Sequence, residues 1–441
     1  MKKLLFLGST ILSLPFTIIS SKLEKNNEIN ISLAKKIVLE DYKKITRMKD
    51  VKIKFTKYLQ VDKNLRSLLV VYEKRGYSII SLANGKIIEV NPFSKKYLNL
   101  DKEVQNEKLL YKYLNDIKIL DKDNKELKSN FKKEIFYNND ENSLNLKIEN
   151  LDYKSSQNRG KPEFEWPKGQ SEKAPFVYAD YEVPYSWYFK LSGSNNHGYL
   201  DGSGYQIYKD YSNIEPYYKG KYYGQSPESG LCGYIAMNLL IMYRMLFYNS
   251  NYFNDWEKEE FVRPGEDIYH SNYLDSNHLP TLKPDFTKYL YQKTWFATGV
   301  DKWWNLKYIV DSFLKNKWQQ GKINYSHWGD YSFFGKPWST IVYNKTPTAL
   351  AGLYSPGSTG KDGHVIVAYG ANRDGRFLVN LGWGANDSQV FVTKELFSHG
   401  MNYALNDKSE RKMGQNRFFS YNGELIDGSQ FEQILNMKGI I

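Results

Sequence analysis

Residues 224–243 read Gly224-Gln225-Ser226-Pro227-Glu228-Ser229-Gly230-Leu231-Cys232-Gly233-Tyr234-Ile235-Ala236-Met237-Asn238-Leu239-Leu240-Ile241-Met242-Tyr243. A polar run containing Gly and Pro gives way at Leu231 to an almost wholly apolar one. The pattern predicts a buried helix with the thiol of Cys232 in its first turn. The backbone N–H groups of a first helical turn have no intrahelical acceptor, and that end of the helix carries partial positive charge. Both favour thiolate over thiol, the form in which cysteine is a nucleophile near neutral pH. A free cysteine is otherwise a small buried hydrophobe, and reactivity requires a base beside it. Cys232 is the only cysteine of the chain, which excludes an internal disulfide and any zinc site built on several thiolates.

A base is offered by Asp362-Gly363-His364-Val365-Ile366-Val367-Ala368-Tyr369. His364 opens a β-branched run and so stands at a strand end, where a side chain can face a cleft. The Asp374-Gly375 turn leads into a second strand, Phe377-Leu378-Val379-Asn380, followed by Leu381-Gly382-Trp383-Gly384. An Asn380 amide oxygen that accepts from the imidazole would fix the ring's orientation and tautomer. Trp383 would cover that bond and keep water off it. Taken singly, His364 reads as a structural histidine, Asn380 as a strand-end residue and Trp383 as core. The spacing joins them: 132 residues separate Cys232 from His364, and 16 separate His364 from Asn380. A cysteine near the start of a catalytic region with His and Asn about 130–150 residues downstream is the papain order.

These stretches, Gln225 to Ala236, Gly363 to Gly370 and Val379 to Gly384, resemble the papain-like cysteine peptidases. The nearest types are the bacterial secreted streptopain and staphopain forms, and nearer still the cysteine peptidases of mycoplasmas, some of which cleave immunoglobulin G. The resemblance implies Cys232 as nucleophile, His364 as acid and base, and Asn380 as orienting residue. It implies Gln225 as oxyanion-hole donor beside the Cys232 N–H, a role suited to charge that develops in a tetrahedral intermediate. Two departures stand out: Gln225 lies seven residues before the cysteine where papain has six, and Gly233 follows it where papain has tryptophan.

The remainder of the chain frames this reading. Its 441 residues suffice for two or three domains, and 16% aromatic with 25% charged residues exclude a wholly disordered chain. Sixty-one Lys and Arg against forty-nine Asp and Glu give +12. With 37 tyrosines and abundant Lys, Asn and Ile, that charge reads as AT-rich codon bias, and no nucleic-acid module accompanies it. Residues 1–21, with Lys2 and Lys3 before the apolar run Leu4–Ile19, read as an export signal or N-terminal anchor. Residues 22–120 predict a small α+β module: a helix over 28–47, strands over 51–58, 65–73, 77–82 and 86–90, and turns at Lys74-Arg75-Gly76 and Asn84-Gly85. This module weakly resembles a streptopain-type pro-domain, with an independent binding domain as the competing reading. Residues 121–165 read as a charged linker, and 166–441 as the catalytic domain.

The expected fold is therefore α+β: a helical lobe carrying Cys232 packed on an antiparallel β lobe carrying His364 and Asn380, preceded by the pro-domain-like module. The expected protein is a monomeric zymogen, secreted or at the cell surface, with a membrane contact only if residues 1–21 stay uncleaved. Its partner is a protein substrate from a host, with immunoglobulin G the candidate the resemblance offers; no metal, cofactor or nucleic acid is implied. The other five histidines show no ligand spacing. The aromatic run Tyr205–Tyr223 could line a cleft, and Lys302–Lys315 reads as an amphipathic core helix. Two rivals are an inactive papain-like adhesin or immunoglobulin-binding scaffold and a transglutaminase-like acyl transferase.

Overall fold

Asn30 starts the first helix because its side chain accepts from the Leu33 N–H at 2.8 Å, satisfying a donor of the opening turn. This helix, α1 (Ile31–Thr46), buries Ala34, Val38, Tyr42 and Ile45, a stripe at helical spacing. The stripe packs on a meander of β1 (Ile53–Asp62), β2 (Leu65–Tyr72), β3 (Tyr77–Ser81) and β4 (Ile87–Asn91), so the expected helix and strands are all present. Gly76 turns β2 into β3 at φ +82°, and a Cβ there would stand 2.5 Å from Tyr42 Oη and 2.7 Å from Pro92 O. Only glycine fits that turn. The structure is a computed structural model describing residues 29–62, 65–103, 108–114, 116–120, 176–192, 231–294, 306–330, 336–354, 363–382, 387–394, 397–408 and 416–441.

The short α2 (Leu100–Glu103) and a hairpin absent from the expected module, β5 (Lys108–Tyr113) with β6 (Asp116–Leu120), complete this part. Then come β7 (Tyr181–Glu182), α3 (Ser186–Leu191), α4 (Cys232–Phe247), α5 (Asp255–Phe261), β8 (Val262–Arg263), β9 (Thr281–Leu282), α6 (Pro284–Thr294), α7 (Leu306–Gln319), β10 (Tyr325–Asp330) and α8 (Lys336–Val342). The chain continues through β11 (Thr348–Tyr354), β12 (Gly363–Ala371), β13 (Phe377–Asn380), β14 (Val390–Val392), β15 (Phe397–Asp407), β16 (Phe419–Tyr421), β17 (Glu424–Ile426) and α9 (Gly428–Met437). Helix α7 buries Leu306, Ile309, Val310, Phe313 and Leu314, the apolar face expected of it.

One large mixed sheet runs in the order β10-β15-β11-β12-β13-β14-β4-β3-β2-β1-β5-β6, with β7 also on β12. Its pairs are antiparallel except β1 with β5, which are parallel at Gln60 and Leu110. Helix α4 packs against β12 and against α6 and α7. The chain is thus α+β, as expected. The N-terminal strands join the rest by edge pairing, with Val90 opposite Phe391 and Glu89 opposite Val392. Around that seam Thr393 N–H donates to Ile88 O at 3.0 Å, and Tyr178 N–H donates to Ile45 O at 2.9 Å. Arg376 also grips Asp41 with two hydrogen bonds of 2.9 and 2.5 Å. The export signal over 1–21 and the linker over 121–165 lie outside the described residues. Among the described residues no helix is long and apolar enough to cross a membrane.

Candidate active site

Helix α4 begins at Cys232, and its N-cap, Leu231, supplies no side-chain acceptor to the opening turn. From Gly233 to Phe247 every residue of α4 is buried, whereas Cys232 is half-buried and packs against the core. Gly233 lies against α7: a Cβ there would stand 3.0 Å from Leu306 Cδ2. Any side chain here, such as the tryptophan that follows the papain cysteine, would press on Leu306. The Cys232 sulfur faces three backbone N–H groups, its own and those of Gly233 and Val365, and each favours the thiolate. Burial outweighs them and pushes the thiol above its ordinary range. The donors expected from the helix start are present, yet the expected lowering of the thiol pKa is overturned by desolvation.

His364 lies in β12, opposite Gly352 of β11. Its Nε2 stands 2.7 Å from the carbonyl oxygen of Leu381. A carbonyl only accepts, so Nε2 carries the hydrogen, and a neutral ring presents its lone pair at Nδ1. Burial pushes the imidazole down to about 4, against the opposing pull of the Leu381 carbonyl. Because the Val365 N–H points at the Cys232 sulfur, the thiol lies against the peptide that follows His364. Cys232 and the strand start carrying His364 are therefore together, as the spacing suggested.

Asn380 closes β13 opposite Val367 and is 1% exposed. Its Nδ2 donates to Phe189 O at 2.8 Å and also to Ser192 O, while its Oδ1 accepts from Gly382 N–H at 2.8 Å. Both amide hydrogens are thus spent on backbone at the end of α3, and the oxygen holds the turn after β13. The expected bond from the imidazole to the Asn380 amide oxygen is not the one made. The acceptor is the next residue's carbonyl, and Asn380 shapes the turn that presents it. Gly382 takes φ +75° in that turn, a conformation in which other residues are strained. Gln225 and Trp383 lie outside the described residues.

Two further side chains bear on this turn. Leu381 N–H donates to the backbone oxygen of Asp387 at 2.9 Å, and the Asp387 carboxylate accepts from Asn91 Nδ2 at 3.0 Å. Burial pushes the Asp387 carboxyl up to about 6, with Glu89 adding to the rise and Lys96 and Asn91 opposing it. No motif marks these positions, and Leu381 acts through its backbone, to which side-chain identity is blind. Among the described residues no three His, Cys, Asp or Glu side chains cluster as metal ligands. No protein-family model matches the chain, and no curated protein matches it.

Proposed function

We propose that the chain is a cysteine endopeptidase with a two-lobed papain-like catalytic domain, exported to act on exposed host proteins, immunoglobulin G among them. The observation that carries the reading is the placement of the Cys232 thiol. It sits at the start of a buried helix, against the peptide following His364, whose ring is held by Leu381 O at 2.7 Å. Raised thiol and lowered imidazole make the resting pair neutral. In the reaction His364 Nδ1 takes the thiol proton as the sulfur bonds to the substrate's carbonyl carbon. The oxyanion forms near the Cys232 N–H at the helix start, where donors are pre-aimed. His364 then passes its proton to the leaving amine, and the C–N bond breaks to leave a thioester. A water gives a proton to His364 and its oxygen to the acyl carbon, and the thiol is regenerated as the acid departs.

The test sets the purified chain beside its Cys232→Ser variant, each incubated under reducing conditions with immunoglobulin G and with casein. Fragments are followed by mass spectrometry. Defined fragments from the wild type alone are expected. Casein fragments without immunoglobulin fragments would keep the peptidase and remove the immunoglobulin substrate. No fragments from either protein would transfer the function to a binding scaffold, and equal fragments from both would remove Cys232 as the nucleophile.

A further inference from the structure

Strand β4 ends at Asn91, whose side chain is fully buried and fixed at both ends. Its Oδ1 accepts from Phe93 N–H at 3.2 Å and from Ser94 N–H at 3.1 Å. With the oxygen so occupied, the amide group faces outward from the module, where Nδ2 donates to Asp387 Oδ1 at 3.0 Å. Asp387 is the residue whose backbone oxygen receives Leu381 N–H, and Leu381 is the residue whose carbonyl holds His364 Nε2. Three hydrogen bonds of 3.0, 2.9 and 2.7 Å thus connect a side chain of the N-terminal module to the imidazole. The edge pairing of β4 with β14 fixes the register in which they meet.

We infer that Asn91 is a positioning residue for His364, acting through Asp387 and the Leu381 carbonyl, and that the N-terminal module is a working part of the catalytic unit. The inference rests on the Cys232–His364 pairing proposed above. A pro-domain that silences a peptidase fills its cleft and is discarded. Here the module extends the same sheet that carries His364 and steadies the carbonyl that holds the imidazole. Asn380 holds the same carbonyl from the α3 side, through Gly382 N–H. The turn after β13 is therefore braced from both parts of the chain. A bond that orients a base sets its lone pair toward the thiol, and a small error in that aim costs rate steeply.

The experiment measures alkylation of Cys232 by iodoacetamide as a function of pH in the full chain. Wild type is compared with His364→Ala, Asn91→Asp, Asp387→Ala and Asp387→Asn, with melting curves run alongside. Asn91→Asp keeps the acceptor for Phe93 and Ser94, removes the donor, and sets a second carboxyl against that of Asp387. At about pH 7 it should alkylate about tenfold more slowly than wild type, in the direction of His364→Ala. At pH high enough for the raised thiol to ionise without help, the variants should converge. A merely structural role would not confine the loss to neutral pH. Asp387→Ala removes the same bond from the other side and serves if Asn91→Asp fails to fold; Asp387→Asn, which keeps an acceptor for Asn91, should recover most of the rate lost in Asp387→Ala. Wild-type profiles in both Asn91→Asp and Asp387→Ala, with His364→Ala altered, would overturn the inference and leave the peptidase standing. A wild-type profile in His364→Ala would instead overturn the Cys–His pairing itself.

Discussion

Replacing Asp387 by asparagine tests the electrostatics behind the site, because the stability change it should cause depends on pH in a defined way. Burial lifts the Asp387 carboxyl from 3.8 to about 6. A tenfold weaker acid in the folded state corresponds to about 1.4 kcal/mol, so at neutral pH the folded protein carries a cost of about 3 kcal/mol for keeping this group ionised. The cost is absent below the unfolded value, where both states are protonated. It grows as pH rises from the unfolded value to the folded one and is complete above the latter. His364 runs the other way: its folded value of about 4 lies below the ordinary 6.5. The unfolded chain therefore binds the proton first, and stability falls as pH drops from about 6.5 to 4, again by about 3 kcal/mol. In the wild type these opposed slopes largely cancel. Asp387→Asn keeps an acceptor for Asn91 and removes one slope. Urea unfolding should show the variant about 2–3 kcal/mol more stable than wild type at pH 7.5 and equal to it near pH 4. The variant should also lose stability steeply with acid where the wild type does not. Parallel stability curves for the two proteins across that range would refute the reasoning.

The thiol and imidazole shifts predict a slow resting nucleophile: alkylation of the full chain should stay at a low, His364-assisted rate through neutral pH and climb steeply only above the ordinary thiol value of about 8.5, and full-speed alkylation already near pH 6 would mean an ion pair instead. Gly76→Ala forces a Cβ to within 2.5 Å of Tyr42 Oη at φ +82°, and should cost roughly 2–4 kcal/mol in urea unfolding; a cost under about 1 would show that the turn can move. Asp41→Ala leaves the buried Arg376 guanidinium with only the more exposed Asp374 as carboxylate partner, and should destabilise the chain by about 3 kcal/mol. The double variant Asp41→Ala with Arg376→Met should regain much of that loss, and no recovery would place the cost elsewhere.

Helix α1 was legible from its apolar period, α4 from its unbroken apolar run and strands β1 to β4 from their β-branched and aromatic runs, and Gly76 and Gly85 mark turns that need positive φ. The β5–β6 hairpin was missed: in Lys108-Leu109-Leu110-Tyr111-Lys112-Tyr113 the alternation is broken by adjacent apolar residues. The seam of β4 with β14 joins residues about three hundred positions apart, and no local pattern states which sheet edges will meet. At the site, Cys232 and His364 were readable because their chemistry lies in their side chains. Leu381 was not, since a carbonyl is common to every residue. Asn380 was read for the right turn and the wrong bond. An amide with two hydrogens and one oxygen can serve a ring or a backbone, and the position of Phe189 and Ser192 decides it.

The direction of the Cys232 shift shows why a helix start alone does not make a nucleophile. Three N–H groups meet the sulfur, and at a solvated helix end they would carry the thiol below its ordinary value. Here α4 packs against β12 and α7, with Leu306 of α7 close to Gly233, and burial strips water from the charged form. Desolvation grows with every packed neighbour, whereas the number of N–H groups that can reach one sulfur is fixed by the backbone. A more tightly packed site therefore gains little thiolate stabilisation while losing much. The same burial empties the imidazole of its proton, leaving it basic at Nδ1 only to the extent that Leu381 O holds Nε2 in place. In the proposed peptidase reaction, proton transfer from thiol to ring would then accompany attack on the carbonyl. On that reading the aim of the imidazole, more than the acidity of the thiol, would set the rate, and a hydrogen bond as distant as that of Asn91 should be visible in the kinetics.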